Sequence, residues 1–155
     1  MKPKTYILNA AQIAAKLDRL SYEIIEKSGV GVPLHLLSTN ANGALLARII
    51  KNKIARIDAT KLLTCFDSIE SCKEKPIYPS TDLLLIDDVC NTGKTLYQTL
   101  VAIDASAYTT IQCAVLIDRK HKNYPIQCDY VGLVLSTTLQ DYVYVDMLNM
   151  TAWLE

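Results

Sequence analysis

The chain has 155 residues, half of them hydrophobic, with 16 Lys and Arg balanced by 16 Asp and Glu for a net charge of zero. That length suits one domain with a sizeable core, so a single domain over residues 1–155 is expected. The charge balance argues against a dedicated nucleic-acid binder, which ordinarily carries a basic excess, and no apolar stretch approaches the ~18 residues of a membrane helix. The five cysteines (Cys65, Cys72, Cys90, Cys113 and Cys128) include no C-x-x-C pair. Neither a disulfide framework nor a zinc site fits them. Free thiols in a reducing compartment are expected. The opening residues lack the apolar run of a signal peptide, so the expected location is cytoplasmic.

The first element is a helix. Asn9 can cap it with Gln12 as capping-box partner, Ile13, Leu17, Leu20 and Ile24 recur at helical spacing, and Gly29 suits a left-handed stop. Leu34–Leu37 then forms an apolar strand running into a polar loop, Thr39-Asn40-Ala41-Asn42-Gly43, and a helix through Leu45, Leu46, Ile49 and Ile50. Thr60–Phe66 has strand character. The polar stretch Asp67–Thr81, with Pro76 and Pro79, suits a loop or short hairpin. Leu83–Ile86 is an apolar strand, Lys94–Ala105 a helix, and Ile111–Ile117 a strand ending in Asp118-Arg119-Lys120-His121-Lys122. Two strand-like stretches, Tyr130–Leu135 and Tyr142–Met147, follow. Tyr142, Tyr144 and Trp153 suit either an interface or a core edge.

Apolar strands alternating with amphipathic helices predict an α/β fold, a mainly parallel sheet flanked by helices. A strand apolar on both faces, such as Leu83–Ile86, expects helices on both sides. Ligands of such sheets sit outside the carboxyl ends of the strands. The loops beginning at Ser38, Asp87 and Asp118 would then share one edge.

The segment Asp87–Thr95, DDVCNTGKT, carries the strongest chemical signal. Two adjacent carboxylates at the end of a buried strand are costly unless they face a ligand, a metal or water. Asn91, Thr92, Gly93, Lys94 and Thr95 suit a phosphate cradle. Gly93 allows close backbone approach, the threonines and Lys94 supply donors, and the helix that follows offers free N–H groups. Carboxylates for sugar hydroxyls or Mg²⁺ therefore adjoin donors for a phosphate. Gly93-Lys94-Thr95 also matches the end of a Walker A motif, but that motif needs glycine where Asp88 stands. A Walker B reading of LLLIDD lacks its upstream partner.

Leu83–Thr95 resembles the phosphoribosyl-pyrophosphate (PRPP) motif of type I phosphoribosyltransferases: four apolar residues, two acids, then Thr-Gly-x-Thr. Ala114–Gly132, through Asp118, Arg119, His121, Pro125, Ile126, Asp129, Tyr130, Val131 and Gly132, resembles the PyrR family of bifunctional pyrimidine operon attenuators and uracil phosphoribosyltransferases. The opening helix is similar too, while the likeness fades from about Ile54 to Asp82. The resemblance implies a type I phosphoribosyltransferase fold with a short hood region. It implies PRPP and a pyrimidine base or UMP as ligands, with Mg²⁺ as cofactor, and a homo-oligomer, often a dimer. Asp87 and Asp88 would hold the ribose hydroxyls directly or through Mg²⁺, and Asn91–Thr95 the 5′-phosphate. Thr39–Gly43 would form the pyrophosphate loop. Arg119 would be catalytic together with Asp87 and Asp88, and Asp118, His121, Lys122, Pro125 and Ile126 would serve the base and pyrophosphate side, His121 as binding support.

Three departures stand out. The family's pyrophosphate loop usually carries basic residues, as in Lys-Thr-Arg-Gly, where this chain has Asn40-Ala41-Asn42-Gly43. The stretch from Phe66 to Thr81 is short for a closing hood. Asp18, Tyr22 and Leu133 stand where the family's RNA-binding face tends to be His, Thr or Lys, so RNA is not an expected partner. A phosphoribosyltransferase of a pyrimidine base and a catalytically weak PRPP or nucleotide sensor are the two leading expectations.

Overall fold

A computed structural model describes residues 3–138 and 140–155. Two sheets organise the chain. Five strands form a wholly parallel sheet in the order β3-β2-β4-β5-β6: β2 Leu34–Ser38, β3 Leu63–Phe66, β4 Asp82–Cys90, β5 Ile111–Asp118 and β6 Tyr130–Val134. Three short strands form a separate antiparallel sheet, order β1-β8-β7: β1 Thr5–Leu8, β7 Val143–Asp146 and β8 Thr151–Leu154.

The two-residue alternation of a strand divides the core. Leu84 and Ile86 of β4 face one layer, together with α1 (Ala10–Lys27), α2 (Ala41–Ile57) and Leu8, Val145 and Ala152 of the small sheet. Leu83 and Leu85 face the other, together with Cys72 of α3 (Ile69–Lys73) and Leu96 of α4 (Lys94–Ala102). Helices thus cover both faces, as the apolar run Leu83–Ile86 requires. Helix α1 carries the expected capping box: Asn9 accepts from the Gln12 amide, and the Gln12 side chain accepts from the Asn9 amide, both at 2.9 Å. Ile13, Leu17, Leu20 and Ile24 are all buried, each contributing ~1.5–3 kcal/mol of apolar burial.

Several local expectations are corrected. Helix α1 stops at Ser28, which is extended, and Gly31 rather than Gly29 takes the positive φ. The stretch read as a loop or hairpin holds α3, opened by Ser68 and Ser71 capping one another and anchored by buried Cys72. β3 starts only at Leu63, because Asp58 binds the Thr60 amide and hydroxyl in a tight turn. Helix α4 ends at Ala102 and a separate 3₁₀ turn covers Ala105–Ala107. β1 and β8 were not read as strands; they pair with each other from opposite ends of the chain. On the outer face of that sheet Tyr6, Trp153 and Tyr144 form a ladder, with Trp153 6.3 Å from Tyr6 and stacked 5.6 Å from Tyr144.

Candidate active site at the strand ends

Because β2, β4 and β5 are parallel, Ser38, Cys90 and Asp118 end on the same edge of the sheet. The loops that follow are stitched together by main-chain bonds. The Arg119 amide donates to the Cys90 carbonyl at 2.9 Å, and the Asn123 and Tyr124 amides donate to the Thr92 carbonyl at 2.9 and 3.2 Å. The Thr39 amide donates to the Ile86 carbonyl at 3.1 Å.

Asp87 and Asp88 belong to the last turn of pleat in β4 rather than to the loop, since Asp87 pairs with Val115 and Cys90 with Asp118. Only Asp87 is buried, and the two carboxylates lie close enough to share one donor. Both are held from α2. Asn40 Nδ2 donates to Asp87 Oδ1 at 2.8 Å and to Asp88 Oδ1 at 3.0 Å. Its Oδ1 meanwhile caps α2 by accepting from the Gly43 amide at 2.7 Å. Asn42 Nδ2 donates to Asp88 Oδ2 at 2.9 Å and to the Val145 carbonyl at 2.8 Å. Gly43 is required here: a Cβ would lie 2.8 Å from the Ile86 carbonyl oxygen. Two neutral amides therefore face the acids where the resemblance leads one to expect Lys and Arg. Burial first, and the neighbouring Asp88 charge second, push the Asp87 carboxyl up to about 7.

Asn91–Thr95 turns directly into α4, and Asp87 joins Val89–Leu96 in lining a cavity of about 70 Å³. Gly93 occupies the cap position with φ 79° and no side-chain cap; the Lys94 amide donates to Thr92 Oγ1 at 3.3 Å, and the amides that follow it in the first turn of α4 are left for a ligand. Ile126 closes against Gly93 so tightly that a Cβ there would meet Ile126 Cγ2 at 2.4 Å. Tyr124 packs on Tyr97 of α4, with ring centroids 5.5 Å apart. Residues 123–126 thus brace the phosphate cradle. Lys94 and Thr95 are exposed beside it.

The loop after β5 is arranged differently from the expectation. Arg119 is buried. Its guanidinium donates to the Thr137 hydroxyl at 2.8 Å and the Thr138 carbonyl at 2.9 Å, and Nε has no partner. Arg119 thus holds residues 137 and 138, where a catalytic role beside the acids was expected of it. His121 Nε2 lies 2.8 Å from the Thr137 carbonyl and braces the same segment. Lys122 donates to Asp118 at 2.7 Å. Burial raises the Asp118 carboxyl, but the Lys122 and Lys120 contacts outweigh it and hold it below its ordinary value. Pro125 is exposed. The five thiols are free, and Cys90 is held below the usual thiol range chiefly by a hydrogen bond from Cys128.

The structure therefore brings together Asp87, Asp88, Asn40, Asn42, Gly43 and Asn91–Thr95, with Ile126 behind them. It draws Arg119 and His121 aside. Sequence reasoning missed Val145 of β7 and Met147 just after it, whose main chain meets Asn42, and Tyr97 and Tyr124, which meet only in three dimensions. The tyrosines' nearness to the motif was a signal; the Val145 contact left none.

A model of the phosphoribosyl transferase domain matches residues 4–143. The chain is 34% identical to the bifunctional protein PyrR of Oceanobacillus iheyensis, over 95% of this chain and 92% of that protein. It is 32% identical to the bifunctional protein PyrR of Clostridioides difficile, over 97% and 94%. Among solved structures, a hypoxanthine-guanine phosphoribosyltransferase from Bacillus anthracis superposes with TM-score 0.76 at 12% identity, covering 99% of this chain and 98% of that one. A hypoxanthine phosphoribosyltransferase from Staphylococcus aureus gives 0.68 at 16%, covering 96% and 84%.

Proposed function

We propose, for a chain that belongs to the type I phosphoribosyltransferases and is similar to the PyrR proteins among them, the transfer of ribose 5-phosphate from PRPP to a pyrimidine base, with uracil as substrate and UMP and pyrophosphate as products. One observation carries the reading: a cavity of about 70 Å³ joins Asp87 to the amides and hydroxyls of Asn91–Thr95. A ribose 5-phosphate needs acceptors for its hydroxyls on one side and donors for its phosphate on the other. Asp87 and Asp88 accept the 2′- and 3′-hydroxyls, while Asn91–Thr95 and the start of α4 hold the 5′-phosphate. Displacement of pyrophosphate by a base nitrogen builds positive charge on the sugar, and the two carboxylates stabilise it. Tyr124, Pro125 and Ile126 stand on the side where the base would enter.

Among the described residues no three His, Cys, Asp or Glu side chains cluster into a cation cage. Mg²⁺ is ordinarily held by one or two carboxylates together with substrate phosphates, and Asp87 and Asp88 fit that donor set. When bound with PRPP, the ion would neutralise charge on the leaving pyrophosphate. The proposal takes the protein as a cytoplasmic homo-oligomer. The test is product formation from PRPP, Mg²⁺ and each of uracil, cytosine, hypoxanthine and guanine. UMP formation is expected. Absence of product with every base, despite PRPP binding, rejects the transferase reading.

A second reading, a nucleotide or PRPP sensor of low turnover, is favoured by Asn40 and Asn42, which meet the acids with amides and bring no cation. Calorimetry separates the two: tight UMP or PRPP binding without turnover supports the sensor, and efficient turnover removes it.

A further inference from the structure

The loop between β2 and α2 has no cation for a pyrophosphate, and the structure offers a replacement one step along the same helix. Beside Asn40 lies a second cavity, about 510 Å³, lined by Asn40, Ala41, Ala44, Leu45, Arg48 and Asp67. The first five fall at i, i+1, i+4, i+5 and i+8, one face of α2. Arg48 sits some 12 Å of helical rise from Asn40, and helical side chains lean back toward the N-terminus. Asp67 fixes where the guanidinium ends. It follows Phe66, which pairs with Leu37 and whose carbonyl accepts from Ser38 Oγ at 3.1 Å. Asp67 therefore stands at the same strand-end edge as Thr39 and the acidic pair, and it ion-pairs Arg48 there.

The pair is loosely held. Arg48 and Asp67 side chains remain 55% and 53% exposed, and the contact uses one guanidinium nitrogen. The remaining guanidinium donors are open to a ligand. Among the described residues, Lys122 is bound to Asp118 and Arg119 to Thr137 and Thr138, while Lys120, exposed and 3.6 Å from Asp118, belongs to the loop after β5 and not to the cavity beside Asn40. Lys94 lies on the phosphate loop, on the other side of the acids. Planar, forked guanidinium is also the side chain best matched to phosphate oxygens.

We infer that Arg48 supplies the cationic contact to the pyrophosphate of PRPP in the cavity next to Asn40, with Asp67 holding its side chain at the edge until the ligand displaces it. The inference rests on the PRPP reading above and adds a residue outside the loop to it. It makes Arg48 a determinant of the preference for PRPP over a nucleoside monophosphate, which has no pyrophosphate to contact.

The test is calorimetry on the full chain with Mg²⁺, using PRPP and UMP as separate ligands, for the wild type, Arg48→Gln, Arg48→Lys and Asp67→Asn. Arg48→Gln is expected to weaken PRPP by about 10- to 100-fold, as for loss of a charged hydrogen bond, and to leave UMP within about twofold. Arg48→Lys is expected to restore part of the loss. Asp67→Asn, which removes the competing carboxylate, is expected to tighten PRPP. Unchanged PRPP binding in Arg48→Gln, or equal loss of both ligands, overturns the assignment, as does an Asp67→Asn that weakens PRPP as much as Arg48→Gln does. A wild type that binds no PRPP instead rejects the underlying PRPP reading, so the two failures are distinct.

Discussion

Asp87 combines three conditions that rarely coincide in one carboxyl: burial, a second acid next to it, and no cation among its hydrogen-bond donors. Its folded value stands at about 7 against an ordinary 3.8. Below about pH 4 the group is protonated in both folded and unfolded chains and imposes no penalty. Between about pH 4 and 7 the unfolded chain gives up the proton while the folded chain keeps it, and stability falls by up to ~1.4 kcal/mol per pH unit. Asp87→Asn should therefore flatten the pH dependence of the ligand-free protein over that window and stabilise it at pH 8 by a few kcal/mol, while PRPP binding is lost. Urea midpoints measured from pH 4 to 8 check this, and a mutant no more stable than the wild type at pH 8 contradicts it. The identity of this residue as a ligand acid was legible in the sequence, because two acids after four apolar residues have few other uses. Its protonation was not legible, since it depends on Asn40 reaching across from another element.

At the scale of elements, the start of α2 is the joint of the site. Asn40 caps the helix and binds both acids, Gly43 lets the helix approach β4, and Asn42 ties β4 to the main chain of β7. Asn42→Ala removes both donors at once and leaves the Asp88 and Val145 oxygens to find water. The expected loss is ~1–3 kcal/mol of local stability, concentrated in the small sheet. Hydrogen exchange should accelerate at Val143–Asp146 and Thr151–Leu154 and change little in β4 and β5; uniform acceleration would mean that Asn42 is no specific link. Helices α1 and α2 were readable because 17 or 18 residues give the 3.6-residue period room to show. β1 and β8 were not, being four residues each and stabilised by a partner at the far end of the chain. Helix α3 was hidden by its shortness and by Pro76 and Pro79 just beyond it, and rests on a serine cap and one buried cysteine.

For the whole molecule, the parallel sheet does the gathering. Three loops separated by dozens of residues meet because β2, β4 and β5 run the same way, and that much followed from strand–helix alternation. Which side chains turn inward did not follow: Arg119 was a reasonable site residue by motif, yet the pleat and the Thr137–Thr138 segment claim it for the interior. A ligand that spans β4, α4 and α2 must stabilise the fold as a unit. PRPP with Mg²⁺ at 100 times its dissociation constant should add ~2.7 kcal/mol, and the melting temperature should climb with the logarithm of ligand concentration. A melting temperature indifferent to PRPP would contradict a site built across these elements.

The pairing of β1 with β8 also sets an order in time. β1 precedes every other described element and β8 follows them, so the small sheet cannot close until β8 has been synthesised. The five-stranded sheet, with its acids and phosphate cradle, needs nothing beyond β6. A nascent chain can thus hold the Asp87–Thr95 segment before Val145 arrives to take its bond from Asn42. Long-range pairings of this kind form late because loop closure must precede them. The Asn42 bond to β7 therefore forms after the strands of the large sheet.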